Sequence, residues 1–306
     1  MLTYNDHLIM AILLKILRQF APFSVMVHQL NEIWLNKSDW NRQSFKFKLK
    51  NPLLYPKVSV FIPVAPKDYW IVSSCVQSLR RNLRNPISEL IICGKQSPEL
   101  LKICREIDCV FIDETTVAPV CRDDLQVFVN GVDRSGWIFQ QLLKLNVFNC
   151  VSEANALVWD SDTCLIRKAG FLIDEKSVIE YHASKHYPYV SSSEALLGQL
   201  PIQNVGFTCH KALFNQEYLA EMKTKIEENS QKSWHKAYTD AIDLNEASSI
   251  SEYEIYSLFM IRNHFEKVLF RHWRNLSEVS YSSKFRRKIL SLWFMSLSYH
   301  DYAQQN

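Results

Sequence analysis

Glycine is scarce in this sequence, with only six among 306 residues. The six stand at positions 94, 131, 136, 170, 198 and 206, and none of them share the spacing of a dinucleotide-binding fingerprint or a Walker A loop. Both motifs use glycine to let the backbone approach a phosphate closely. The scarcity therefore excludes both classes of phosphate-binding loop.

Closely spaced cysteine pairs and a strong net charge are also missing. The eight cysteines form no Cys-x-x-Cys pair and follow no secretory signal, so we interpret them as reduced core residues of a cytosolic protein. The 35 basic and 32 acidic residues leave a net charge of +3 without a clustered basic face, so nucleic acid is not an expected partner. A hydrophobic content of 47% is typical of a globular chain.

No hydrophobic run is long and uncharged enough to span a bilayer. The most apolar stretch, residues 8–27, contains Lys15 and Arg18, and Pro22 would break its helix. It fits an amphipathic helix that packs on its own domain, on a second subunit or on a membrane. A basic patch at 284–288 precedes the apolar run 289–294, so peripheral contact with the inner face of the membrane stays open.

Alternating strand and helix patterns begin near residue 55. Apolar runs at 56–63, 89–93 and 109–113 predict buried strands, and helical periods at 69–83 and 98–107 separate them. This order predicts an α/β domain with a parallel sheet. The pattern continues with a helix at 138–148, a strand at 155–159 and a helix at 211–227. We expect an N-terminal helical extension and linker at 1–54, a principal domain at 55–280 and a C-terminal helical tail at 281–306.

The strand at 155–159 ends in two carboxylates, in the sequence Asp160-Ser161-Asp162. Alternation along an extended chain points residues two apart to the same side, so both carboxylates can converge on one cation. Oxygen ligands of this kind suit Mg²⁺ or Mn²⁺, which would in turn hold a diphosphate. A solvated turn is the alternative, because Asp and Ser are common turn residues. The position after a strand of a parallel sheet favours the cation site.

The order of these features resembles a glycosyltransferase of the A-type fold. More narrowly, it resembles a family of largely uncharacterised bacterial proteins that are predicted to be glycosyltransferases. The likeness runs from residue 57 to 277 and includes the segments 136–144, 207–214 and 251–256. It implies that Asp160 and Asp162 hold a divalent cation, Mn²⁺ or Mg²⁺, against the diphosphate of a nucleotide-sugar donor.

A predicted helix start at Ser251 supplies a candidate base. Ser251 and Glu254 have the spacing of a capping box, in which the Glu254 side chain folds back to the Ser251 amide. Glu252, at the first helical position, is then free to meet a substrate. Resemblance to inverting members of the A-type fold implies that Glu252 deprotonates the acceptor hydroxyl. The alternative is a carboxylate that only favours the helix dipole.

The remaining candidates lie beside predicted strands or on the helix before the acidic turn. His210 follows a short apolar run at 205–208 and could bind the acceptor, a phosphate or the metal, or serve the structure alone. His272, in a strand-like run at 268–275, is the candidate third metal ligand. Candidate contacts to the nucleotide or its diphosphate are Asp68, Asp113, Gln140 and Lys144. For Lys144 a solvated position is the alternative.

These residues predict a metal-dependent glycosyltransferase that moves a sugar from a nucleotide-sugar donor to a hydroxyl of a surface glycan or another saccharide. Inversion is the expected outcome, and retention stays open. Two other functions remain as alternatives: a nucleotidyltransferase on a similar scaffold, and a non-catalytic module that assembles at a membrane. The expected location is the cytoplasm, and formation of a homo-oligomer stays open.

Overall fold

The computed structural model describes residues 53–200, 204–278, 280 and 282–299. Its strands, in chain order, are β1 (Val58–Pro63), β2 (Ile87–Gly94), β3 (Val110–Asp113), β4 (Phe128–Val129), β5 (Val132–Asp133), β6 (Asn155–Trp159), β7 (Thr163–Leu165), β8 (Leu172–Ile173), β9 (Lys176–Tyr181), β10 (Lys211–Asn215), β11 (Val268–His272), β12 (Asn275–Ser277) and β13 (Ser296–Ser298). Its α-helices are α1 (Tyr69–Asn82), α2 (Pro98–Glu106), α3 (Glu114–Val117), α4 (Ser135–Leu145), α5 (Tyr187–Leu197), α6 (Gln216–Ser230), α7 (Trp234–Asp240), α8 (Glu252–Asn263) and α9 (Lys284–Leu290).

The central sheet has five strands in the order β10-β6-β1-β2-β3. β1 pairs in parallel with β2 and β6, and β2 pairs in parallel with β3, whereas β10 runs antiparallel to β6. All six residues of β1 are buried, as its apolar run predicts for a central strand. The predicted α/β class with a mostly parallel sheet is therefore confirmed. The carboxyl ends of β1 and β6 lie side by side.

One hydrophobic core joins this sheet to α4 and α8. Phe61 of β1, Val158 of β6, Leu142 of α4 and Tyr256 of α8 belong to it, and each is at most 1% exposed. Burial of a side chain of this size contributes about 1.5 to 3 kcal/mol. The core thus holds the last turn of α4 and the first turn of α8 near the carboxyl end of β6.

Two three-stranded sheets follow the acidic turn, in the orders β11-β9-β8 and β12-β13-β7. In the second sheet, β13 runs antiparallel to β7, the strand that leaves the turn. The segment predicted as a C-terminal tail therefore contributes a strand as well as the helix α9. The domain division at 280/281 stays a prediction.

The predicted helix at 211–227 is wrong in its first turn. Lys211–Asn215 forms β10, and the helix α6 begins at Gln216. The Asn215 side chain caps that helix by accepting hydrogen bonds from the amides of Glu217 and Tyr218. Short apolar runs fit either a strand or a helix, and here the free edge of β6 decides the outcome.

The N-terminal amphipathic helix predicted near residues 8–27 lies outside the described residues. None of the described helices has the length and apolar character that crossing a membrane requires. All eight cysteines are free thiols, and five of them are buried. Their interpretation as core residues is therefore confirmed for those five and wrong for Cys121, which is exposed.

Candidate active site

The acidic turn lies at the carboxyl ends of the central strands, as predicted. The Thr163 amide donates to the Asp160 carbonyl and closes the turn between β6 and β7. The Ser161 hydroxyl donates to Asp68 Oδ2 over 2.8 Å, so the turn is tied to the loop that follows β1. Asp68 and Asp162 are 8% and 9% exposed. Asp68, a predicted contact to the nucleotide, therefore lies beside the turn.

Lys144 is buried against the turn, and the solvated alternative for it is wrong. Its side chain is 3% exposed, and its Nζ lies 2.5 Å from Asp160 Oδ1 and 2.8 Å from Glu252 Oε1. Burial alone would lower the pKa of Lys144, but the two carboxylates together raise it to about 12. The ammonium is therefore charged at neutral pH and bridges two predicted site residues.

The helix start at Ser251 is confirmed, but only half of the capping box forms. The Ser251 hydroxyl accepts from the Glu254 amide. The Glu254 carboxylate does not return to Ser251, because its Oε2 accepts from the Phe207 amide over 2.7 Å. Glu252 stands at the first helical position, yet its side chain is 4% exposed and ion-paired with Lys144. The prediction that Glu252 is free to meet a substrate is therefore wrong, while its catalytic role stays a prediction.

His210 stands directly beside the turn in a strained conformation. Its φ is +60°, in the left-handed region that side chains other than glycine rarely adopt. Its carbonyl accepts from the Asp160 amide, and its Nδ1 lies 3.0 Å from Ser298 Oγ. The ring packs edge-on against Trp273 with centroids 5.0 Å apart. Backbone strain of this kind clusters at functional sites.

The predicted three-ligand metal set of Asp160, Asp162 and His272 is not assembled. Among the described residues, no three His, Cys, Asp or Glu side chains form a group with metal-ligand geometry. His272 lies at the end of β11 and packs edge-on against Tyr181, where burial and then Arg274 hold its pKa below the ordinary value. The turn itself offers two carboxylates, a donor set that suits a cation whose other ligands are water and a diphosphate. The residues therefore fit a cation that binds together with a nucleotide.

For two other predicted residues, no side-chain hydrogen bond to the turn is present among the described residues. Asp113 caps the short helix α3, and hydrogen bonds from the Thr115 hydroxyl and amide lower its pKa. Gln140 is half-buried and makes no side-chain hydrogen bond to the described residues. Its neighbour Gln141 is buried and accepts from the Tyr238 hydroxyl. The nucleotide contacts assigned to Asp113 and Gln140 stay predictions.

Sequence reasoning missed three side chains that shape the turn. Ser161 joins it to Asp68, Tyr253 donates its hydroxyl to Asp160 Oδ1 over 2.7 Å, and Ser298 hydrogen-bonds Thr163 and His210. Tyr253 follows Glu252 at the helix start, and no local pattern in the sequence pairs its hydroxyl with Asp160. No local pattern marks Ser298, because it reaches the turn from a strand 135 residues away from Thr163.

Comparison with known proteins gives one family and several distant structural likenesses. A model of the family described as "Family of unknown function (DUF6492)" matches residues 73–297, which is more than half of the chain. No curated protein matches. Mouse xyloside xylosyltransferase 1 is 14% identical with a TM-score of 0.43, over 80% of this chain and 98% of that one.

Two further solved structures are similar to a comparable degree. The galactosyltransferase LgtC, in complex with donor and acceptor sugar analogs, is 10% identical with a TM-score of 0.45, over 79% of this chain and 87% of that one. Glucosyl-3-phosphoglycerate synthase from Mycobacterium tuberculosis, in complex with Mn²⁺ and uridine diphosphate, is 13% identical with a TM-score of 0.32, over 61% and 68%. At these TM-scores the likenesses do not decide which reaction this chain performs.

Proposed function

The chain belongs to the DUF6492 family, and we propose that it is a glycosyltransferase of the A-type fold. In this proposal it moves a sugar from a nucleotide-sugar donor to a hydroxyl of a saccharide acceptor. The observation that supports it most is the position of the acidic turn at the carboxyl end of the parallel sheet. There Ser161 joins the turn to Asp68, in the loop that follows β1 along the chain. Open parallel sheets bind their ligands at this edge.

Asp160 and Asp162 are the proposed ligands of a divalent cation. When bound, the cation would supply positive charge that offsets the charge on the departing nucleoside diphosphate. We assign the contact to the nucleoside to Asp68 and the loop after β1, since Ser161 holds the Asp68 carboxylate next to the turn. The two acidic residues of the turn and the β1 loop would then orient the donor.

His210 is the residue we assign to the acceptor. Its strained backbone is supported by the hydrogen bond from the Asp160 amide, and Ser298 contacts one nitrogen of its ring. A histidine held beside an indole is a suitable partner for a sugar, because aromatic faces stack on sugar rings and imidazole nitrogens hydrogen-bond hydroxyls. Trp273 would provide the stacking face.

Calorimetry with UDP, GDP, ADP and CDP, each with and without Mn²⁺, tests the donor site. We expect one nucleotide to bind in a Mn²⁺-dependent manner, Asp162→Ala to lose that binding, and the exposed control Asp123→Ala to keep it. Undiminished Mn²⁺-dependent binding in Asp162→Ala would contradict the metal role. Release of pyrophosphate instead of a nucleoside diphosphate during turnover would favour the nucleotidyltransferase, and failure to bind any nucleotide would favour the non-catalytic module.

We also propose that α9 contacts an anionic membrane surface. Phe285 and Leu292 are 74% and 66% exposed, and the exposed side chains of Lys284 and Lys288 lie on the same short segment. Apolar side chains flanked by basic ones suit the boundary of an anionic bilayer. Because α9 leads into β13, which pairs with β7 after the acidic turn, membrane-linked saccharides are the acceptors that this contact favours.

A further inference from the structure

The ammonium of Lys144 is buried between two carboxylates and the face of a tyrosine ring. Its Nζ lies 2.5 Å from Asp160 Oδ1, 2.8 Å from Glu252 Oε1 and 4.5 Å from the centroid of the Tyr253 ring. The two carboxylates take two of the three N–H donors of the ammonium, which also lies over the Tyr253 ring. Through the first of these contacts Lys144 bears directly on Asp160.

The two carboxylate oxygens of Asp160 have different surroundings. Oδ1 accepts from both Lys144 and the Tyr253 hydroxyl, whereas no described residue donates to Oδ2. The Asp160 side chain is 20% exposed, the largest exposure among the three side chains Lys144, Asp160 and Glu252. Two charge-assisted contacts at one oxygen set the orientation of the carboxylate and leave the other oxygen for a ligand.

Glu252 balances the charge of Lys144 from the buried side. Its side chain is 4% exposed, and Lys144 is its only ion-pair partner among the described residues. A lysine ammonium is stable in such an environment only when it is paired, because burying an unpaired charge is costly. With Glu252 as its partner, Lys144 stays charged and close to Asp160.

We infer that Lys144 and Glu252 form a positioning pair for Asp160. Glu252 anchors the ammonium, and the ammonium holds one oxygen of Asp160 so that the other faces the ligand. This inference rests on the proposed function, and it gives Glu252 the role of a counter-ion in place of the predicted acceptor base.

The test compares wild type with Lys144→Met, Glu252→Gln and the double variant in two measurements. These are the melting temperature without ligand and the affinity for UDP with Mn²⁺, or for whichever of GDP, ADP and CDP binds instead. Lys144→Met leaves two carboxylates facing each other, so its melting temperature should fall. The double variant removes one of these charges, so it should recover most of the loss.

Affinity separates positioning from plain structural support. We expect the double variant to bind the nucleotide with Mn²⁺ at least tenfold more weakly than wild type, because Asp160 still lacks its ammonium. We expect Lys144→Arg, which keeps the positive charge, to bind the nucleotide more tightly than Lys144→Met but more weakly than wild type. The control Ser251→Ala weakens the same helix start and should leave the affinity within about twofold of wild type. Affinity that recovers together with the melting temperature in the double variant would overturn the inference.

Two further results bear on Glu252 and on the proposed function. A fall in turnover of about 10² to 10⁴ in Glu252→Gln with donor binding intact would identify a base and overturn the counter-ion role. If wild type binds none of the four nucleotides, the proposed function fails. The ion pair that the positioning role requires is then still tested by the melting temperatures: no loss in Lys144→Met, or no recovery in the double variant, overturns the inference.

Discussion

Replacing Glu254 with glutamine should remove a pH-dependent loss of stability from this protein. Glu254 is 1% exposed, and its Oε2 accepts from the Phe207 amide, but its buried Oε1 accepts no hydrogen bond from any described residue. Burial raises the pKa of this carboxyl from 4.5 to about 7, although the hydrogen bond from Phe207 opposes the rise. The folded protein therefore favours the protonated, neutral form.

The sign and size of the effect follow from this raised pKa. Below 4.5 the carboxyl is protonated in both the folded and the unfolded chain, and the stabilising preference is fully present. As the pH rises through about 7, the folded state must ionise a buried group, and this stability is lost. The raised pKa contributes about 3 kcal/mol in all to the free energy of unfolding at low pH. About 2 to 3 kcal/mol of this contribution is lost between pH 5 and pH 8.

Urea unfolding at pH 5, 6, 7 and 8 measures this difference. Glu254→Gln keeps an oxygen for the Phe207 amide and does not titrate, so its free energy of unfolding should gain about 2 to 3 kcal/mol relative to wild type between pH 5 and pH 8. A constant offset from the buried amide group cancels in this comparison. Glu228→Gln, at an exposed position, should keep the pH dependence of wild type. An unchanged pH dependence in Glu254→Gln would refute the reasoning.

Three other perturbations have distinct expected outcomes. Lys211→Met removes one of the two cationic partners of Glu180 and leaves Arg271, so it should cost about 1.5 to 3 kcal/mol in urea unfolding. A loss under about 1 kcal/mol would show that the contact between Lys211 and Glu180 is dispensable. Ser251→Ala removes the cap of α8 and should lower the free energy of unfolding by about 1 kcal/mol. An unchanged melting temperature would contradict this prediction. Phe285→Ser should weaken sedimentation with anionic vesicles, and high salt should weaken it in wild type; no binding at low salt would remove the proposed membrane contact.

Local patterns predicted the order of the elements well and their ends less well. The helix start at Ser251 was predictable because a hydroxyl that caps a helix amide acts within three residues. The expected return of Glu254 to Ser251 was wrong, because the Phe207 amide from another part of the chain offers a better partner. The helix predicted from residue 211 failed for the same kind of reason, since the edge of β6 recruits Lys211–Asn215 as a strand.

The α/β order, the central strand β1 and the position of the acidic turn were predictable from the amino-acid sequence, because hydrophobic periodicity and turn residues act over short distances along the chain. The environment of the site depends instead on contacts between distant parts of the chain. Lys144 and Glu252 are 108 residues apart, and His210 and Ser298 are 88 apart, so no local pattern reveals that they touch. Whether a lysine or glutamate is solvated or buried in an ion pair depends on which distant elements pack around it, and that packing places the Lys144 ammonium between the carboxylates of Asp160 and Glu252.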